Sequence, residues 1–283
     1  MIDVAEFEQH RPTLFGIAYR MLGSVADAED LVQDTWLRCS QVSEPVTNPG
    51  GYLARTVTNL ALNKLTSAAA RREQYVGPWL PEPLVTLPDA AGELELAESV
   101  SLAMLVVLET LSPLERAVFV LKEIFRFSYR EIAETLDRTE TSVRQVGSRA
   151  KSHVQARRPR YEASAEVRRR VTDEFLAACL GGDMNRMLEL LAPDVTAWND
   201  GGGKVRAALR PLHGAEKVAR FLTAVLAQPI AAPRLVAVDV NGRPGLMLTS
   251  AGRPDTVACV EVEDGRITEI RVIRNPDKLH HLA

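Results

Sequence analysis

The 283-residue chain has few cysteines and no long apolar run. Its three cysteines, Cys39, Cys179 and Cys259, lie far apart without a CxxC pair, which favours buried thiols in a reduced cytosol over a disulfide framework. The longest unbroken aliphatic run, residues 102 to 108, is far shorter than the roughly 18 to 20 residues of a membrane span. The acidic start has no apolar core of an export signal. We therefore expect a cytoplasmic protein with no membrane segment.

The chain also has little net charge, with 34 Lys plus Arg against 37 Asp plus Glu, or −3. Such a total does not suggest a nucleic-acid-binding protein, but it hides two segments of opposite sign. Residues 75 to 95 carry four acidic and no basic groups, whereas residues 138 to 160 carry seven cations and the single acid Glu140. A cation cluster along one helix is typical of phosphate binding, and a solvated surface helix is the alternative.

Start and stop signals along the chain predict four segments. Residues 1–74 read as an all-helical domain, and residues 75–95 as a linker, since residues 75 to 92 contain four prolines and two glycines. Residues 96–160 begin two helices with Ser-x-x-Glu capping boxes, and the second of these is short. A tight turn leads from it to a basic helix, which makes a helix-turn-helix. Residues 161–283 mix helices with strand-like runs, one of them at 205 to 209, and predict a separate α+β domain.

Three groups of motifs resemble a bacterial sigma factor of the extracytoplasmic-function group. Ser24 to Arg38 is similar to region 2.2 of that family, and Ser128 to Leu136 is similar to the start of its region 4.2. The segments WLPEP, DGGGK and NPDKL, with a SnoaL-like final domain, resemble the branch that carries a fused C-terminal extension. The resemblance implies two all-α domains followed by an α+β, cone-shaped SnoaL-like domain.

The same resemblance implies the function and partners of a transcription initiation factor. Such a protein binds core RNA polymerase, recognises the −35 element with its second helical domain and melts the −10 element with its first. We expect its C-terminal domain to modulate it, without a cofactor and without a separate anti-sigma factor. A small molecule in the C-terminal domain is a further candidate ligand.

The first helical domain offers two candidate surfaces. One face of the helix that begins near Val25 carries acidic and amide groups, which we assign to polymerase on the strength of the resemblance: Asp30, Gln33 and Asp34. A solvated helix surface is the alternative. The family places −10 contacts farther along, where the candidates are Asn59, Asn63, Lys64, Arg71 and Arg72. Only two aromatic residues flank that segment, so base capture would depend on polar pockets; an ordinary polar helix end is the alternative.

The basic helix of the second domain offers the candidates for the −35 element. Residues outside its predicted packing positions are available to the DNA groove: Thr141, Ser142, Arg144, Gln145, Ser148, Arg149 and Lys151. Arg144 has the geometry to bond guanine and Gln145 to bond adenine, whereas Lys151 and the cations after it suit phosphate.

For the C-terminal domain, regulation suits the sequence better than catalysis. The acid-base candidates His213, Asp194, Asp200 and Asp239 form no pair at a diagnostic spacing, and His280-His281 lacks a third metal ligand. We expect the stiff linker segment to dock on the glycine-rich loop and on the C-terminal tail, which together comprise Trp79, Leu80, Pro81, Glu82, Pro83, Asp200, Gly201, Gly202, Gly203, Lys204, Asn275, Pro276, Asp277, Lys278 and Leu279. The alternative is that Trp79 packs on a helical domain and DGGGK is a simple loop.

Two other functions stay open at this point. One is a ligand-sensing helix-turn-helix regulator that is not a sigma factor, and the other is an enzyme fused to a DNA-binding domain. The acidic face at residues 27 to 34 and the polar-basic helix end at residues 59 to 72 favour a sigma factor, since a one-component regulator needs neither.

Overall fold

A computed structural model describes residues 2–42, 44–86, 100–157 and 163–282, apart from the side chains of residues 66–73. The chain divides into two compact units. The helical unit comprises Met1–Gln74 and Gly92–Arg158, so the two helical domains expected from the sequence belong to one body. The C-terminal unit comprises Tyr75–Ala91 and Pro159–Ala283 and thus includes the linker segment.

Three helices form the first part of the helical unit: α1 (Val4–Leu22), α2 (Val25–Ser40) and α3 (Pro49–Glu73). Ser24 caps α2 by accepting a hydrogen bond from the Asp27 amide at 3.1 Å, which is why the chain starts a new helix there. Apolar side chains at helical spacing on α1 and α3, such as Leu14, Ile17 and Val57, are fully buried between the helices.

The second part of the helical unit contains α4 (Leu102–Glu109), α5 (Pro113–Phe119), α6 (Tyr129–Leu136) and α7 (Glu140–Gln155). Both expected capping boxes are present, at Ser112 and Ser128. A π-helical turn, Val120–Ile124, follows α5. Asp137 adopts a left-handed conformation (φ 52°) that ends α6 and turns the chain into α7, which completes the helix-turn-helix.

The C-terminal unit packs three helices against a seven-stranded sheet. The helices are α8 (Ala165–Gly181), α9 (Met184–Leu190) and α10 (Ala215–Leu226). The strands are β1 (Val85–Thr86), β2 (Leu191–Asp200), β3 (Leu212–His213), β4 (Arg234–Val240), β5 (Arg243–Ser250), β6 (Arg253–Glu263) and β7 (Arg266–Ile273). Their order is β1-β4-β5-β6-β7-β2-β3, with β2 parallel to β7 and all other neighbours antiparallel.

Two features of this sheet differ from the sequence prediction. Residues 205 to 209 are irregular rather than a strand, because the Lys204 and Val205 amides turn back to the Gly201 carbonyl. The linker supplies the edge strand β1, with Val85 opposite Val240 and Thr86 opposite Asp239. No helix in the described ranges is long and apolar enough to cross a membrane.

Candidate nucleic-acid interface and linker clasp

The helix α7 separates a packed face from a polar face. Val143, Val146, Ala150 and Val154 are buried. The candidates for the −35 element lie on the other face, where all but the half-buried Ser142 are exposed: Thr141, Arg144, Gln145, Ser148, Arg149 and Lys151. This face has the composition that reads a major groove, with amide and guanidinium donors near the helix start and cations farther along.

Two cations of α7, Arg144 and Lys151, form weak surface pairs. Arg144 Nε lies 3.0 Å from the Glu140 carboxylate, and the Arg144 guanidinium stacks 4.9 Å from the centre of the Tyr129 ring. Lys151 lies 3.4 Å from Glu123. Exposed pairs of this kind contribute about 0.2–1 kcal/mol. A bidentate arginine–guanine contact discriminates by about 1–3 kcal/mol, so DNA can replace the Glu140 partner.

The −10 candidates are spread along α3. Asn59 and Asn63 are exposed, and Lys64 Nζ pairs with Asp27 at 2.7 Å and with Asp30 at 3.6 Å. The side chains of Arg71 and Arg72 lie outside the described part of the chain. Asn59 Nδ2 donates to the Thr135 carbonyl of α6 at 3.4 Å. The −10 candidate helix therefore touches the helix-turn-helix, an arrangement that the sequence did not indicate.

A buried arginine joins the two halves of the helical unit. Arg116 on α5 is 3% exposed and donates to the Met21 carbonyl of α1 at 2.6 Å and to Glu109 at 2.8 Å. Burial lowers the pKa of Arg116 to about 10, which leaves the side chain charged at neutral pH. Removing it would leave the Met21 carbonyl and the Glu109 carboxylate without this donor.

The polymerase candidates share the solvent-facing side of α2. Asp30, Gln33 and Asp34 are exposed, whereas Leu31 and Thr35 on the opposite side are buried. The acidic surface is thus held in place by a packed helix and is accessible to a partner.

In the C-terminal unit, the linker, the glycine-rich loop and the tail meet around one buried carboxylate. Asp200, at the end of β2, is 0% exposed. Its side chain accepts hydrogen bonds from the Tyr75 hydroxyl, from the Leu80 amide at 2.8 Å and from Lys278 Nζ at 2.7 Å. We call these four residues the linker clasp. Burial and the bond to the Asp200 carboxylate raise the pKa of Tyr75, so its hydroxyl stays protonated and donates.

Lys278 completes the clasp from the tail. Its Nζ atom also donates to the Leu80 carbonyl and lies 4.3 Å from the centre of the Trp79 ring and 4.7 Å from that of Tyr75. A desolvated ammonium over aromatic faces is stabilised by the ring quadrupoles. Among the contacts of this cation, the Leu80 carbonyl and both rings belong to the linker.

The glycines of the DGGGK loop allow this close packing. Gly202 has φ 59°, and a Cβ atom there would lie 2.3 Å from Asn275 Nδ2 and 3.0 Å from the Tyr75 hydroxyl. Asn275 Nδ2 donates to that hydroxyl at 2.8 Å. At the solvent edge, Lys204 pairs with Asp277. Only glycine combines this conformation with this approach.

The rest of the WLPEP segment is held farther along the C-terminal unit. Leu80, Pro81, Glu82 and Pro83 are buried, and His281 Nε2 lies 2.9 Å from the Pro83 carbonyl. Leu84 and Asn241 bond each other twice: Leu84 N to Asn241 Oδ1 at 3.1 Å, and Asn241 N to the Leu84 carbonyl at 2.7 Å. Pro276 is exposed and Leu279 is buried in the tail.

Comparison with known proteins identifies the family. Models of Sigma-70 region 2, Sigma-70 region 4 and the SnoaL-like domain match residues 7–71, 101–154 and 172–270. The chain is 37% identical to the ECF RNA polymerase sigma factor SigJ of Mycobacterium tuberculosis (strain ATCC 25618 / H37Rv), over 98% of this chain and 93% of that protein. The chain belongs to the extracytoplasmic-function sigma factors.

A second relative and a solved structure of SigJ agree with this assignment. The sigma factor is 32% identical to the probable ECF RNA polymerase sigma factor SigI of M. tuberculosis (strain CDC 1551 / Oshkosh), over 98% of this chain and 95% of that one. The crystal structure of the M. tuberculosis extracytoplasmic function sigma factor SigJ matches with a TM-score of 0.78 and 34% identity, over 98% of both chains. A helix-turn-helix regulator that is not a sigma factor is thereby excluded, and the resemblance found in the sequence is confirmed.

The C-terminal unit of the sigma factor also contains a cavity of about 570 Å³ between its helices and its sheet. None of the four acid-base candidates lines it: Asp200 is in the clasp, Asp239 pairs with Arg169, His213 bonds Thr196, and Asp194 is exposed. The described lining contains no histidine and one carboxylate, Asp255, which pairs with Arg274.

The cysteines fit an unreactive role. Cys39 and Cys259 are buried, and Cys179 is half-buried. Burial raises the pKa of Cys179 and of Cys259 to about 12, so both thiols, which line the cavity, stay protonated at neutral pH.

Proposed function

We propose that the C-terminal unit of this sigma factor regulates promoter use by holding residues 75 to 86 of the linker in the clasp. The observation that carries the proposal is the fully buried Asp200 carboxylate, whose donors are two linker groups, the Tyr75 hydroxyl and the Leu80 amide, and the tail ammonium of Lys278. Breaking a buried ion pair by removing one partner costs about 3–5 kcal/mol. That cost is set by the unpaired charge, whereas releasing the linker breaks the Tyr75 and Leu80 bonds to Asp200, so the linker stays clasped until a partner or a ligand supplies a compensating free energy.

The linker matters because it connects α3 to α4, and thus the −10 candidates to the −35 candidates. The centres of the two promoter elements lie about 25 base pairs apart, or about 85 Å along B-DNA at 3.4 Å per base pair. In the helical unit, Asn59 of α3 contacts Thr135 of α6. Both elements can be engaged at once only after this contact is broken and the two halves separate.

A clasped linker opposes that separation. Residues 75 to 86 are fixed along the C-terminal unit, from the Asp200 contacts to the pairing of Val85 with Val240. While they are fixed, this part of the linker cannot extend or change direction as the two halves of the helical unit separate. We propose that the clasp restrains the helical unit and that its release favours promoter engagement. Regulation from within the chain requires neither a cofactor nor a separate anti-sigma factor.

The contacts with DNA and polymerase are proposed residue by residue. Thr141, Ser142, Gln145, Ser148 and Arg149 join Arg144 in the −35 major groove, and Lys151 binds phosphate. Asn59, Asn63, Lys64, Arg71 and Arg72 bind the −10 strand. Asp30, Gln33 and Asp34 bind a basic surface of core polymerase in the cytoplasm. The exposure of the described members of these sets, and the packed helices that carry them, support the assignment.

Run-off transcription with core polymerase and full-length protein tests the proposal. Lys278→Met should raise promoter-specific transcript severalfold, because it removes the tail cation that holds Leu80 and Asp200. Lys217→Met, the same substitution at an exposed site of α10, should leave it unchanged. Unchanged or lower transcription with Lys278→Met, from protein that is folded by circular dichroism, would contradict the restraining role.

A further inference from the structure

The cavity of the C-terminal unit has an apolar wall interrupted by one polar side chain. The sheet contributes a row made of one residue from each of four neighbouring strands. In the strand register, Asn199 is paired with Val272, Val272 with Ala258, and Ala258 with Leu246. All four line the cavity, opposite Phe175 of α8 and Phe221 of α10. The volume of about 570 Å³ lies within the range of small-molecule sites.

Asn199 is the unusual member of this row. It is 4% exposed, and its Nδ2 atom has no hydrogen-bond partner among the described residues. Buried amide groups are nearly always paired, because an unpaired donor loses its hydration without compensation. The preceding residues on the same face, Val195 and Ala197, are apolar. A donor kept at this position is explained if a ligand oxygen accepts from it.

The charged residues at the cavity favour a neutral ligand. Arg274 Nη2 and Asp255 Oδ2 are 3.1 Å apart, so their charges cancel, and Arg206 is exposed and screened by solvent. Arg274 Nε is a second buried donor without a partner among the described residues. The cavity thus offers donors and apolar surface, which suits a largely apolar molecule with carbonyl or hydroxyl oxygens.

The cavity and the clasp share two short stretches of chain. Asn199 faces the cavity, and its neighbour Asp200 holds the linker from the other side of β2. Arg274 lines the cavity, and its neighbour Asn275 bonds Tyr75. The Arg274 and Asn275 amides both donate to the Asp200 carbonyl, at 2.7 and 3.0 Å. A ligand that moves either stretch therefore moves Asp200 itself or the residues that bond Asp200 and Tyr75.

We infer that the cavity is an effector site for a neutral, largely apolar small molecule whose carbonyl or hydroxyl oxygen accepts a hydrogen bond from Asn199, and that its occupancy is coupled to the clasp. The regulatory meaning of this coupling rests on the proposed function above. The site and the coupling are both measurable by binding alone, without transcription.

The probe for the site is 6-propionyl-2-dimethylaminonaphthalene, a neutral fluorescent ketone whose emission reports the polarity around it. Full-length protein should bind it and shift its emission to the blue. Ala258→Phe fills the centre of the row and should abolish binding. Asn199→Leu should weaken binding about threefold to tenfold, the value of one hydrogen bond, and should raise the melting temperature because it removes an unpaired buried amide. Asn185→Leu, at an exposed site of α9, is the matched control.

Competition experiments distinguish a hydrogen bond to the ligand oxygen from non-specific hydrophobic binding. Wild-type protein should prefer 2-acetylnaphthalene over 2-isopropylnaphthalene by the same threefold to tenfold factor, and Asn199→Leu should remove the preference. Equal affinity in Ala258→Phe would place the probe elsewhere, and an unchanged preference in Asn199→Leu would show that Asn199 does not contact it. Either result overturns the site.

The coupling is tested by reciprocity, because a ligand that alters the clasp must bind differently when the clasp is altered. Lys278→Met should change the affinity for the probe at least about fivefold, and Lys217→Met should not. Equal affinity in Lys278→Met would overturn the effector role. If the probe results hold while Lys278→Met leaves transcription unchanged, the proposed function fails and the coupled site stands.

Discussion

The sharpest prediction concerns the strength with which the clasp holds the linker. Lys278 and Asp200 have side-chain exposures of 7% and 0%, so solvent screens their interaction little. Lys278→Met leaves the Asp200 carboxylate buried, with the Tyr75 and Leu80 donors and without its cation. Loss of one partner of such a pair costs about 3–5 kcal/mol. The equilibrium for local release of the linker should therefore shift by about two to three and a half orders of magnitude.

Hydrogen exchange of the full-length protein measures this release directly. The Leu80 amide donates to Asp200 and the Leu84 amide to Asn241, so a peptide covering residues 75 to 86 reports the opening of the clasp. Exchange in that peptide should accelerate by the same two to three and a half orders of magnitude in Lys278→Met. This factor applies where the peptide exchanges by local release of the linker and not by global unfolding of the protein.

A second substitution compares the buried ion pair with an exposed one. Lys204 and Asp277 form an ion pair in the same region, but their side chains are 52% and 63% exposed. An exposed pair contributes about 0.2–1 kcal/mol, so Lys204→Met should accelerate exchange of the linker peptide at most about fivefold. If Lys278→Met accelerated it no more than Lys204→Met does, the buried pair would not be what holds the linker, and the reasoning from burial would be refuted.

Three further predictions address the other sites. Arg144→Ala should reduce discrimination at one −35 base about 5- to 150-fold, whereas Arg157→Ala should weaken binding to all sequences alike and lower the salt slope by about one. Fluorescence anisotropy of the holoenzyme on promoter variants measures both effects, and equal losses of affinity on all sequences for Arg144→Ala would contradict its role. The raised pKa of Tyr75 makes its bond to Asp200 a contribution that is complete below about pH 10 and is lost progressively as the pH rises above that value. The stability difference between wild type and Tyr75→Phe in urea should therefore be constant up to about pH 10 and shrink above it, and an unchanged difference above that pH would contradict it. Arg116→Met should destabilise the helical unit by about 3 kcal/mol in urea unfolding followed by circular dichroism, because the hydrogen bonds that Arg116 donates to Glu109 and to the Met21 carbonyl are lost. Arg130→Met, at an exposed pair, should change the stability little, and equal effects would refute the structural role of Arg116.

The helical parts of the fold were predictable because their signals are local. Ser112 and Ser128 each precede a glutamate by three residues, and both capping boxes form in the structure. The turn at Asp137 and the buried valines of α7 follow from the same short-range patterns. Local hydrogen bonds and helical spacing depend on a few neighbouring residues, so a short segment of the sequence is enough to predict them.

The contacts that join distant segments were harder to predict. Asn241 reads as a hairpin turn residue, and its second role, bonding Leu84 of the linker, depends on a partner 157 residues away. Tyr75 reads as the first residue of the linker, and nothing in the local sequence indicates that its hydroxyl bonds Asp200. The strand β1 lies in a proline-rich segment that, taken alone, argues against a central strand, and it is tolerated because β1 is at the sheet edge.

One signal was present in the sequence and was missed. Alternation along β2 places Val195, Ala197 and Asn199 on one face of the strand, so a polar residue at 199 falls in an apolar row. The residues named for acid-base chemistry were a histidine and carboxylates, so a buried amide donor was not among them. A period-of-two reading would have placed Asn199 beside the apolar core and Asp200 on the other side of the strand.

The near-zero net charge can now be interpreted through the structure. Residues 138 to 160 carry a local excess of cations, but the phosphate contacts expected among them are few, namely Lys151, Arg157 and Arg158. Three phosphate contacts give a salt slope of about −2.7, well below the slope of proteins that hold DNA by electrostatics alone. Opening the helical unit would expose more of α3 without adding many cations, since Lys64 is paired with Asp27. We therefore expect promoter affinity to come largely from polymerase, and the proposed clasp would act on the conformation that polymerase receives rather than on DNA affinity itself.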